Sequence, residues 1–312
     1  MRGLAEFAMR GRLQALLIAV AGAGSLLFCW VSAAVIALVT LRKGVASGAW
    51  LYVWAILPAG TVMYVMGDSG PLTLLTATFF LAVVLRNSVS LPLTLLVSIG
   101  AGLATGMLLL AFSGQYLDEI VVNFGEFMAG MEKQLSEGTE PVVLNKPTAL
   151  QIAGVLGAGT AMMSVLSLLL ARYWQAQLYN PGGFGEEFRS LRYPPSTSVL
   201  LVVVALGLSS LGLHYRIWGM IIFIPLTFAG LALVHARVHY RGQGGGWLAW
   251  FYVLWIIFDP VKLVVVFFAI ADSWMNFRER WAPAAVKPPI EQRGSDEESG
   301  DRGSDEDQDR DI

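Results

Sequence analysis

Apolar positions fall into eight runs, at 13–41, 50–66, 72–85, 89–112, 148–171, 197–213, 216–234 and 247–273. Bridging a hydrocarbon core of ~30 Å takes about 20 apolar residues in a helix. The pattern therefore predicts an all-α, polytopic integral membrane bundle of about eight hydrophobic segments. Two runs are too long for one straight crossing: at ~1.5 Å per residue, 13–41 would reach about 43 Å and 247–273 about 40 Å. Each contains a weak point. The first carries Gly22, Gly24 and Ser25, and the second carries Asp259-Pro260, where proline removes a helix hydrogen bond and clashes with the preceding turn. Both are expected to be broken or re-entrant elements or tight hairpins, with a single long helix as the other option.

Polar segments divide the chain further. Residues 113–147 carry Leu117, Ile120, Val121, Phe124, Met128, Met131 and Leu135 at helical spacing, with Asp118, Glu119, Glu126 and Glu132 on other faces. This is an amphipathic helix, either lying on the bundle or outer leaflet, or forming a lid over a cavity. Residues 172–196 form a dense elbow between two apolar runs. Residues 1–285 read as the membrane domain. Residues 286–312 read as an acidic tail with Arg-Gly-Ser-Asp-Glu twice, too poor in apolar residues to fold.

Charge changes the picture in two ways. The formal net charge of −2 conceals a tail that is strongly acidic and a remainder that is basic. Only 14% of residues are charged and 55% are hydrophobic, with a mean hydropathy of +0.61, outside the range of soluble domains. Cytoplasmic loops of membrane proteins concentrate Lys and Arg. If every run crosses once, the two sides are nearly equal in basic residues. If 13–41 and 247–273 enter and leave on the same side, then, leaving aside Lys262 and the arginines of the acidic tail, fourteen basic residues share the side of the N-terminus and only Lys133, Lys146 and Arg216 oppose them. That bias predicts a cytoplasmic N-terminus, an extracytoplasmic 113–147 and a cytoplasmic elbow. Arg2, Arg10 and Arg12 before a long apolar run read as an uncleaved signal anchor.

The elbow holds Arg172, Trp174, Gln175, Asn180, Pro181, Gly182, Gly183, Phe184, Glu187, Phe188, Arg189 and Arg192. Asn-Pro-Gly-Gly is a turn in which proline fixes φ and glycine accepts positive φ. Residues 185–192 read as a short helix with acids first and arginines last, which suits the helix dipole, and Glu186 can pair with Arg189. The segment is either a structural elbow or a binding site. Its Arg-aromatic-Gln pattern, Tyr-Asn-Pro-Gly-Gly-Phe, Glu-Glu-Phe and Leu-Arg resemble the signature of the YybS-like family of bacterial polytopic membrane proteins. "ALVTLRKG" (37–44), "FAGLALVHARV" (228–238) and "ADSWMNFRER" (271–280) are similar as well. The resemblance covers roughly residues 1–285 and omits the acidic tail. It implies a bacterial inner-membrane protein, often encoded near ribosomal-protein genes. It also implies a distant similarity to the substrate-capturing S components of energy-coupling-factor transporters.

Asp259 and Lys262 lie within an apolar run, and a charge at membrane depth normally pairs or faces a cavity. They form either a ligand site or a hairpin corner. Asp272, Asn276 and Arg280 follow at spacings of four, on one face of a continued helix, with Arg278, Trp274 and Trp281 on another stripe. His235 and His239 are also four apart, but no third metal ligand or HExxH accompanies them. Cys29 is the single cysteine and reads as an apolar residue. There is no Walker motif, no nucleophilic triad signature and no concentrated basic surface for nucleic acid. The chain is expected to be neither an enzyme nor a nucleic-acid binder and to need no cofactor or metal.

Two functions remain from different classes. One is binding or transport of a small solute by a site in the broken helices, with Asp259, Lys262, Asp272, Asn276 and Arg280 as ligands. The other is a scaffold or regulator whose elbow and acidic tail contact a cytoplasmic or membrane protein partner. Deleting residues 291–312 separates them: solute handling is expected to survive the deletion, and partner capture by the tail is expected to be lost.

Overall fold

The computed structural model describes residues 2–136 and 144–281; the acidic tail and residues 137–143 lie outside the described residues. Among the described residues there are helices and no strand. Five helices are long and apolar enough to cross a membrane: α4 (Val45–Met66), α5 (Gly70–Ser88), α6 (Leu91–Phe112), α8 (Ala149–Tyr179) and α11 (Leu213–Tyr240). A shorter apolar helix, α10 (Pro195–Ser210), packs along α11. The remaining elements are α1 (Arg2–Arg10), α2 (Arg12–Ala23), α3 (Cys29–Lys43), α7 (Gly114–Leu135), α9 (Gly183–Arg189), α12 (Gly245–Ile257), α13 (Asp259–Met275) and α14 (Phe277–Trp281).

The 13–41 run is broken where its small residues cluster. It folds as a hairpin: the Ser32 hydroxyl donates to the Ala19 carbonyl at 2.5 Å, and Lys43 Nζ donates to the Met9 carbonyl at 3.3 Å. Both ends of the hairpin therefore lie together. Residues 32–41 of α3 are buried all round, packed among α2, α4, α5 and α8. A helix hydrophobic on every face belongs in such an interior. Its C-terminal carbonyls are met by Arg86, whose Nη1 donates to Leu41 at 2.5 Å and Thr40 at 3.3 Å.

The 247–273 run is broken at Phe258–Asp259, with α12 and α13 bent by 114°. Proline at the second position of α13 is compatible with a helix start, where its missing N–H has no helical acceptor. The Tyr252 ring meets His235, Val265 packs on Gly230, and Asn276 lies by His239 and Tyr240. Thus both arms of the corner rest against the second half of α11.

The long helices pack through small residues. A Cβ on Gly157 would sit 2.5 Å from the Gly102 carbonyl, and one on Gly106 would sit 2.6 Å from the Trp218 ring. Such approaches let α6, α8 and α11 meet at backbone distance. Helix α7 buries Leu117 and Gly125 and rests on α6 and α8. Gly157→Val is expected to cost about 1–3 kcal/mol through overpacking and to lower the melting temperature in detergent. Gly159→Val, on the same helix with open space around it, is expected to leave the melting temperature unchanged.

Candidate functional site

The elbow closes the end of the bundle where α8 finishes. Gly182 takes φ of +90°, a conformation glycine adopts without a steric penalty, and the Gly183 N–H donates to the Asn180 carbonyl at 3.1 Å. Pro181 stays exposed on the turn. This reversal lays α9 back across α8. Arg172 forms an ion pair with Glu187 and donates to Gln175 at 2.6 Å. Glu187, and not Glu186, is the paired acid; Arg189 has no ion-pair partner among the described residues. Trp174 is buried within the bundle.

The elbow also grips the last helices. Arg192 donates to the Asn276 side chain, and Arg278 Nη2 donates to the Leu191 carbonyl at 2.7 Å and the Ala229 carbonyl at 3.4 Å. Tyr193 donates to the Pro92 carbonyl at 3.1 Å, and burial pushes its phenol pKa above the ordinary value. Asp272 is 1% exposed and Arg278 8% exposed; Arg278 Nε lies 3.4 Å from Asp272 Oδ2. Burial lowers the Arg278 pKa, and the Asp272 carboxylate opposes that shift.

The partner of Asp272 corrects the expected face of Asp272, Asn276 and Arg280. That face assumed a continuous helix. Asn276 instead adopts φ 50°, ψ 53° and ends α13, with the Phe277 N–H donating to Asp272 Oδ1 at 2.9 Å. The break turns Arg278 inward and leaves Arg280 exposed. The signal was present: asparagine tolerates the left-handed conformation that ends helices.

The five expected ligands do not converge. Asp259 and Lys262 pair at 2.6 Å at the α12–α13 corner, with side chains 87% and 41% exposed. Asp272 lies thirteen residues further on, about 20 Å along α13. The geometry of the first pair is that of a corner.

A different group of residues surrounds a cavity. Tyr173 and Phe184, Phe184 and Phe188, Phe188 and His235, and His235 and Tyr252 make successive ring contacts at centroid distances of 6.2, 5.9, 5.3 and 5.8 Å. This ladder joins α8, α9, α11 and α12 around a mainly apolar cavity of about 520 Å³, which Arg189, Thr227 and Trp255 also line. His235 Nδ1 donates to the Leu231 carbonyl at 2.9 Å, and among the described residues neither His235 Nε2 nor the buried Trp255 Nε1 has a hydrogen-bond partner. Sequence reading placed Phe184, Phe188 and Arg189 in the elbow but missed His235, Tyr252 and Trp255 as their neighbours. At the opposite end, α7, α8 and α11 flank a groove of about 760 Å³ edged by exposed Lys146, His214 and Arg216. Among the described residues, no three His, Cys, Asp or Glu converge as a metal site.

Comparison of the chain with family models, curated proteins and solved structures gives no match.

Truncating one member of a buried ion pair leaves the other uncompensated, at a cost of about 3–5 kcal/mol. Arg278→Met is therefore expected to lower the melting temperature strongly in detergent. Arg280→Met is expected to change stability by less than about 0.5 kcal/mol.

Proposed function

We propose that this chain is a bacterial inner-membrane protein that binds or moves a small, largely apolar solute. The site is the aromatic cavity between α8, α9, α11 and α12 rather than the Asp259–Lys262 corner. The observation that carries this reading is the cavity itself. Its volume of about 520 Å³ falls in the range of small-molecule sites, and its walls are apolar and aromatic with a few polar groups. One wall is the broken α12, and interrupted helices habitually line solute sites in membrane transporters. His235 Nε2, Trp255 Nε1 and the Arg189 guanidinium supply an acceptor, a donor and a cation for a polar end of the solute.

The same reading gives six crossings, by α4, α5, α6, α8, α10 and α11, and two re-entrant pairs, α2–α3 and α12–α13. The elbow end faces the cytoplasm because fourteen basic residues favour that side. The resemblance to the YybS-like family, and through it to solute-capturing components, agrees with this assignment. Transport would draw its energy from a partner or an ion gradient. We favour solute binding over an elbow-based scaffold because Arg172, Glu187 and Arg192 already have polar partners within this chain. The chain is proposed to be non-enzymatic and to bind no nucleic acid.

Native mass spectrometry of protein extracted gently from its own membrane tests the reading. A reproducible small-molecule mass is expected, with retention reduced at least about tenfold, or ~1.4 kcal/mol, in Trp255→Ala and His235→Ala variants of unchanged melting temperature. Bare wild-type protein, or protein carrying a stoichiometric polypeptide instead, would exclude it.

A further inference from the structure

The Asp259–Lys262 pair presents a separate physical problem. The corner that carries it is the break between α12 and α13, about midway along an apolar stretch that has the length and composition of a membrane span. In a bilayer this is the depth at which charge is least tolerated, and ionisable groups there turn inward to a partner or a wet cavity. Here Asp259 points away from the bundle, with its side chain 87% exposed. Leu263 and Phe267 continue its stripe at spacings of four, 74% and 65% exposed. Ile256 and Ile257, on the other arm of the corner, are each 66% exposed, and no residue of α12 is fully buried.

The two charges satisfy each other only in part. The ammonium of Lys262 reaches Asp259 Oδ1, and among the described residues no other group hydrogen-bonds to either side chain. Lys262 Nζ also stands 5.9 Å from the Trp255 ring. The remaining valences face outward at a depth where water is scarce. Lipid headgroups are too shallow to answer them.

We infer that this corner is an interface with a second copy of the same chain, in which Asp259 of each copy pairs with Lys262 of the other across a two-fold axis. The patch is self-complementary: one acid and one base sit side by side, so a two-fold rotation that matches one pair matches both. A partner offering a single charge would leave the opposite one unanswered. Ile257, Leu263 and Phe267 would supply the surrounding apolar contact. This inference does not depend on the aromatic cavity, because the stripe faces outward and Lys262 remains available whether or not a solute is bound.

Differently tagged copies of the full-length chain, co-expressed and recovered in lipid nanodiscs, provide the test. Wild-type copies are expected to co-purify. Asp259→Lys alone places two bases on each copy, and Lys262→Asp alone places two acids, so each is expected to lose self-association at least tenfold. Co-expressing one of each is expected to restore co-purification, because the basic patch then meets the acidic one. Repair of the intramolecular pair cannot produce that rescue. Undiminished self-association of either variant, or no rescue on mixing, would overturn the interface. A second measurement keeps both native charges. In a Cys29→Ser background, Leu263→Cys is expected to give a bismaleimide-linked dimer of this chain. Cross-linking to a different polypeptide, or none at a protein-to-lipid ratio at which wild-type copies co-purify, would overturn it too. If the charge variants fail to accumulate, the cross-link alone decides.

Discussion

Every backbone polar group placed in hydrocarbon must find a partner within the protein, because an unpaired one costs several kcal/mol. Two helix breaks inside the apolar part of this chain make that constraint acute. At the first, Ser25 and Gly24 donate back to Gly22 and Val20, the Trp30 indole donates to Leu27, and Ser32 bridges to Ala19. Arg86 then takes up the carbonyls that end α3. These bonds allow a helix of fifteen residues to stand buried in the middle of the bundle instead of spanning it. The small residues of α2 follow from the same requirement. At Gly22 a Cβ would lie 3.1 Å from Ser32, so a larger residue would push the hairpin apart.

The elbow end follows a second logic, of charge satisfied by proximity. A chain reversal at Asn180–Gly183 brings α9 over α8, and this places Glu187 on Arg172 and the Leu191 carbonyl on Arg278. The aromatic residues that look redundant in sequence have separate partners in space. Phe188 sits between Phe184 and the His235 ring, Tyr193 anchors the start of α6, and Tyr173 opens the ring ladder. The dense insert is therefore both an anchor for the C-terminal helices and a wall of the cavity.

Two acid–base pairs, each with its aspartate on α13, show how position decides role. Asp272 and Arg278 are buried, share their neighbourhood with backbone carbonyls of α11 and the elbow, and lock α13 to the bundle. Asp259 and Lys262, at the other end of α13, are held by the same attraction but lie on the outer surface. The first pair is structural because it is buried among the elements it joins, with Asp272 accepting from the Phe277 N–H and Arg278 donating to Leu191 and Ala229. The second is left with unsatisfied valences, which makes it the more informative about assembly.

Hydrophobic runs, their lengths and their weak points determined that the chain is helical, that it holds several helices able to cross a membrane, and that 13–41 and 247–273 break; that five of the eight runs form helices long enough to cross came from the structure. Each of these depends on local composition: about twenty apolar residues fit a bilayer, and glycine, serine or proline interrupts a helix. The turn at Asn180–Gly183 was legible for the same reason. Which charges meet was not. The register from Asp272 to Arg280 changes when one asparagine enters the left-handed region, and nothing in the spacing alone reveals whether it does so. His235 and Tyr252 lie seventeen residues apart across a reversal, and their approach to Phe188 depends on how α9, α11 and α12 pack. Sequence by itself thus determined the segments, through short-range backbone preference and burial. Only the tertiary structure decided the cavity and the fate of each charged pair, because both depend on contacts between segments distant along the chain.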